Sequence, residues 1–130
     1  MTANPLTETV SRLIDAGCHY RLEALAELYT PDLSIIIVQE DGNVASFDYA
    51  QNMAFFRQLR EQNAPPLNTA VHFNHAAEHG GIGYVVATRQ MNLGAGEKKI
   101  VFTLMLRQTD GGPWQIFREH AVVVGDAPSA

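Results

Sequence analysis

Apolar residues recur at helical spacing in three stretches of the first half of the chain. Leu6, Val10, Leu13 and Ile14 form the first stripe. Asn4-Pro5 reads as an N-cap followed by proline at the first helical position, Glu8 sits near the positive helix end, and Gly17 is the stop. Leu22, Leu25, Ala26 and Tyr29 predict a second helix, ended by Pro31. A third begins near Asp48, whose side chain can cap it, with Gln51 three residues on as in a capping box. Its stripe is Met53, Phe56 and Leu59, with Phe55 alongside, and Pro65-Pro66 forbids continuation. Between the second and third helices the β-branched run LSIIIVQ, the turn signal Asp41-Gly42 and then VASF predict a short hairpin.

From Asn68 onward the pattern changes to strands, about Thr69–His79, Ile82–Leu93, Lys98–Thr109 and Trp114–Val124. Gly80-Gly81, Gly94-Ala95-Gly96 and Asp110-Gly111-Gly112-Pro113 are the intervening turns. Such short connections make neighbouring strands antiparallel, because a parallel crossover needs a dozen or more residues. Helices first and a meander after predict an α+β domain with its helices on one face of the sheet. The third long strand is apolar on both sides, with Phe102, Leu104 and Leu106 on one and Val101 and Met105 on the other. Both faces must then be covered, and a second subunit could cover the outer one, so a homodimer is expected.

Composition narrows the function classes. With 130 residues the chain fits one domain, 1–130, with a core from about 5 to 124. Hydrophobic residues at 46% and charged residues at 18% argue against disorder. A net charge of −5 argues against a nucleic-acid partner, which needs a basic surface. One cysteine, Cys18, excludes an internal disulfide framework and a multi-cysteine zinc site. Without a membrane-length apolar run or a signal-like N-terminus, no membrane association is expected and the expected compartment is the cytoplasm. No phosphate loop, nucleophile elbow or HExxH motif occurs, and no cofactor is expected.

Three local patterns, in order, resemble the nuclear transport factor 2-like superfamily. They are Ala26-Glu27-Leu28-Tyr29-Thr30-Pro31-Asp32, Gly80-Gly81-Ile82-Gly83-Tyr84-Val85, and Asp110-Gly111-Gly112-Pro113-Trp114-Gln115-Ile116 through His120. The resemblance spans roughly residues 5 to 124 and is closest to the SnoaL-like and kinase-association-like branches. It implies three helices packed on a strongly curved, mixed, mostly antiparallel sheet, a cone with a cavity at its open end, and usually a dimer. Ketosteroid isomerase-like members place a general base, a phenolic oxyanion donor and a second carboxyl group where this chain has Ile37, a residue near Leu13, and Met105 or Leu106. That constellation is empty, which argues against an isomerase of that kind. The three cavity arginines of the kinase association domain fall on Val86, Leu104 and Ala121, so the resemblance implies a more apolar pocket without an anion cage.

The candidate ligand-binding residues are Tyr29, Tyr84, Val86, Thr88, Phe102, Leu104, Leu106, Phe117 and Glu119. On the last strand, strict alternation puts Gln115, Phe117, Glu119 and Ala121 on one face and Trp114, Ile116, Arg118 and His120 on the other. Aligned on the superfamily, the first set faces the cavity. Glu119 is then a general acid or base if burial raises its pKa, or a carboxylate that pairs with arginine or reaches solvent. Arg89, Arg107 and Arg118 are expected on the outer face, at a dimer interface or in solvent. His75 is the second catalytic candidate, because imidazole serves neutral-pH chemistry. Alternation puts His75 and His79 with Val71 and Phe73, and His72 opposite. His75 and His79 stand about 13–14 Å apart along a strand, too far for one metal, so no metal site is expected. Cys18 and His19 are adjacent and do not orient toward each other as nucleophile and base. Two functions are compatible with these residues. One is a pocket for an apolar or aromatic compound, with lyase, isomerase or cyclase chemistry if it is catalytic. The other is a non-catalytic dimeric interaction module.

Overall fold

The computed structural model describes residues 4–92, 96–108 and 110–127. The strand end at Leu93, the turn residues Gly94 and Ala95, and the strand end at Thr109 lie outside these described residues. The order is α1 (Pro5–Cys18), α2 (Leu22–Leu28), β1 (Tyr29–Val38), β2 (Val44–Asp48), α3 (Tyr49–Glu61), then β3 (Val71–His79), β4 (Ile82–Asn92), β5 (Glu97–Gln108) and β6 (Trp114–Asp126). The fold is α+β: three helices on one open, mixed six-stranded sheet, ordered β2-β1-β6-β5-β4-β3. Every pairing is antiparallel except β1 with β6.

Local chemistry starts each element. Asn4 Oδ1 accepts from the Leu6 amide at 2.9 Å, which caps α1 ahead of Pro5. The predicted capping box forms at α3: the Gln51 amide donates to Asp48 Oδ1 at 2.8 Å and the Asp48 amide to Gln51 Oε1 at 2.9 Å. Gly42, at φ +87°, turns β1 into β2. The core lies between the helices and the sheet face they cover, with Leu25, Ile100, Leu106, Ile116 and Val85 at its centre.

Two bulges decide which side chains reach that inner face. On β6 Arg118 pairs with Met105 and Ile116 with Leu106, so Phe117 is an extra residue. Trp114 and Ile116 are buried before it, and Ala121 and Val123 after it. Strict alternation had grouped Phe117 with Glu119 and set Trp114 and Ile116 opposite; the bulge overturns both assignments. On β3 Phe73 pairs with Ala87 and His75 with Val86, so Asn74 is extra. His72, His75 and His79 consequently share the outer face with Tyr84, Val86 and Thr88, and do not share a face with Val71 and Phe73. β4 also has the opposite phase to the expected one. Val85, Ala87 and Met91 are buried, while Tyr84, Val86 and Thr88 turn outward. The physical reason is the close approach of α1: a Cβ on Gly83 would meet Leu6 Cδ2 at 2.4 Å.

Candidate functional site

The inner face of the sheet and the helices enclose two adjoining spaces. The inner chamber, about 80 Å³, lies under α1 and is lined by Leu13, Ile14, Cys18, Tyr29, Ala87, Arg89 and Leu104 among others. The outer chamber, about 210 Å³, is lined by Ile35, Ile37, Gln39, Ala45, Phe47, Phe55 and Ala121. Asn52, Phe56, Met91, Phe102 and Glu119 line both and form the waist between them. The walls are mostly apolar side chains with a few convergent polar groups, which suits a ligand pocket.

Glu119 is the chemical centre of the waist. It is half-buried and lines both chambers. Burial pushes its carboxyl from the ordinary 4.5 to about 7, against the opposing effects of the Arg89 charge and a hydrogen bond from Tyr29. Tyr29, at the start of β1, is itself buried, and burial, with the Glu119 charge next, holds its phenol well above the ordinary value. It therefore stays a hydrogen-bond donor to Glu119.

Two further polar groups, one on the same sheet face and one on the facing helix, are incompletely partnered. Asn52, projected from α3, is 8% exposed; its amide lies beside the Tyr29 phenol, which it favours in the ionised form, and its Nδ2 is buried with no acceptor in full hydrogen-bond geometry. Arg89 on β4 donates through Nη2 to the Asn68 carbonyl at 3.0 Å and to Cys18 Sγ at 3.2 Å. Its guanidinium carbon lies 5.6 Å from the Phe102 ring centroid, and its Nε is buried without an acceptor. Such orphaned donors typically cost about 1–3 kcal/mol each. Among the described residues no ion pair joins Arg89 to a carboxylate. The Cys18 thiol is raised, chiefly by burial, and faces Arg89 and the Asn68 carbonyl, while His19 bonds to Asp15. The two do not form a nucleophile–base pair.

Of the expected site residues, Tyr29, Phe102, Leu104 and Glu119 border the chambers. Leu106 is buried in the packed core beside them. Tyr84, Val86 and Thr88 do not reach the cavity: Tyr84 stacks with His79 at 5.7 Å on the outer face, and Thr88 donates to Asn74 at 2.8 Å. His75 is exposed there too, 6.2 Å from Tyr84 between ring centroids, away from Glu119. Phe117 lies on the outer face under Arg107 and Arg118, at 5.0 and 5.4 Å. Arg89 corrects the expectation of three outward arginines: it lines the inner chamber. Asn52 was not anticipated; its signal was a polar residue one place before Met53 on the buried side of a capped helix. Leu13 and Ile37, where the isomerase-like resemblance places catalytic groups, line the chambers as hydrocarbon. No group of three or more potential metal ligands occurs among the described residues.

The SnoaL-like domain family matches residues 6–124. The chain belongs to that family. A nuclear transport factor 2-like protein of unknown function from Silicibacter pomeroyi superposes with a TM-score of 0.70 at 14% identity, covering 92% of each chain. One from Shewanella baltica gives 0.69 at 11% identity over 96% of this chain and 93% of that one. A candidate dehydratase of the same superfamily from Streptomyces avermitilis gives 0.67 at 20% identity over 92% and 94%. At these identities the likeness carries the fold alone. A comparison with curated proteins finds no match. No helix among the described residues is long and apolar enough to cross a membrane.

Proposed function

We propose that this SnoaL-like domain binds a small apolar or aromatic compound in its two-chamber cavity and that Glu119 moves a proton on it. The reading is carried by one observation: the Glu119 carboxyl stands at the waist of a mostly apolar space, with a phenol donating to it, and burial there raises it to about 7. A general acid or base works best with a pKa near the operating pH. The candidate dehydratase on the same fold supports proton-transfer chemistry of the lyase or isomerase kind by analogy only.

Benzyl alcohol binding, followed by calorimetry, tests the pocket. Ala45 lines the outer chamber from the edge strand β2, where a larger side chain leaves the core intact. Ala45→Trp should fill the chamber and abolish binding; undiminished binding by a folded variant would overturn the reading.

A second reading has its own observation. Among the described residues no helix covers the outer sheet face, and Ile82, Val122 and Val124 are 39%, 43% and 52% exposed on it. This favours a homodimer built on that face, in which the domain also serves as an interaction module.

A further inference from the structure

The donors left over in the cavity describe what should enter it. Arg89 brings a full positive charge to the inner chamber, spends Nη2 on a carbonyl and a thiol, and leaves Nε without an acceptor. Asn52 adds a second orphaned N–H from the facing helix, at the waist. A neutral hydrocarbon would leave both donors unpaired, and water would pair them without neutralising the Arg89 charge, which Glu119 opposes only in its ionised form. We infer that the ligand is a small monocarboxylate with an apolar or aryl body, its carboxylate turned inward toward the Asn52 amide and the Arg89 guanidinium and its body in the outer chamber. The inference rests on the cavity being a small-molecule site.

Glu119 stands beside that carboxylate. Two anions cannot share the waist, so Glu119 must be protonated in the complex and then donates to the ligand. The other titratable groups bordering this space are Tyr29 from β1, Arg89 from β4 and Cys18 from α1; α3 contributes the neutral Asn52. Tyr29 and Cys18 are both raised above their ordinary values, chiefly by burial. The coupling therefore runs through Glu119, and binding should take up protons.

Titration calorimetry with benzoate, benzamide and benzyl alcohol on the intact protein, at pH 6, 7 and 8, tests this. Benzoate should bind about tenfold more tightly than benzamide at pH 6, and its affinity should fall toward pH 8 with proton uptake seen between buffers of different ionisation enthalpy. Asn52→Leu should weaken benzoate and spare benzyl alcohol. Arg89→Met should do the same more strongly; because Arg89 also holds the Asn68 carbonyl, the wild-type ligand series and Asn52→Leu decide the matter if that variant does not fold. Benzamide binding as tightly as benzoate, or benzoate affinity indifferent to Asn52→Leu, would overturn the inference while leaving the pocket. Failure of all three probes would overturn the pocket as well.

Discussion

On the outer face of the sheet, Arg107 and Arg118 flank the Phe117 ring, and both reach Asp32, Arg107 through its carboxylate at 2.5 Å and Arg118 through its carbonyl at 3.1 Å. On the inner face Arg89 stacks on Phe102 in a similar way, yet no carboxylate closes an ion pair with it among the described residues. The outer arginines are satisfied, in reach of water and screened, so their pairing contributes little to stability. The inner arginine keeps charge and a donor uncommitted in a space where both are costly. One sheet therefore presents a self-contained surface on one side and an unfinished site on the other.

The sharpest way to break this contrast is through neighbours on β5. Leu106 is fully buried and Met105 faces out. Leu106→Ala should cost about 2–5 kcal/mol in urea unfolding. Met105→Ala should cost well under half as much, and comparable losses would mean the outer face is packed rather than open.

Glu119 gives the next largest effect. Its folded pKa of about 7 lies above the ordinary 4.5, so the folded state holds a proton that the unfolded chain releases. Stability should therefore be complete below about 4.5 and decline as pH rises through 7, by up to about 3 kcal/mol. Glu119→Gln should remove that decline. The variant should match the wild type near pH 4.5 and exceed it at pH 8. Parallel pH profiles for the two proteins would show that the carboxyl is not desolvated.

The smallest effect on stability is expected at Val122, which is exposed on the outer face. Val122→Asp should leave the unfolding midpoint nearly unchanged. It should turn a dimer seen by light scattering at micromolar concentration into a monomer, and a wild-type protein already monomeric there would remove the interface from that face.

The helices, the hairpin and the strand order along the chain were legible because caps and glycine turns act locally, although α2 ends at Leu28, and Tyr29 and Pro31, read as the end of that helix, lie in β1. Glu119 was legible as a cavity carboxyl, although the alternation used to place it was wrong for its neighbours Trp114, Ile116 and Phe117. Arg89 was not legible. β4 alternates between residues that all suit a sheet interior, from Tyr84 and Val86 to Val85 and Ala87, so hydrophobicity does not choose its phase. The choice is made by α1, whose Leu6 leaves room only for Gly83. Bulges at Asn74 and Phe117 are likewise settled by pairing between distant strands, and neither leaves a mark in the local pattern.

The bulge at Phe117 has an evolutionary reading. With Trp114 and Ile116 anchored in the core, loss of that one residue would make Ile116 and Arg118 consecutive in the ladder, opposite Leu106 and Met105 as they already are, and leave Arg118 outward and Glu119 inward. A single-codon deletion there would thus straighten β6 without changing which acid–base groups face the cavity. The bulge absorbs a one-residue change of strand length, so such a scaffold can vary in length at this point while its chemistry is kept.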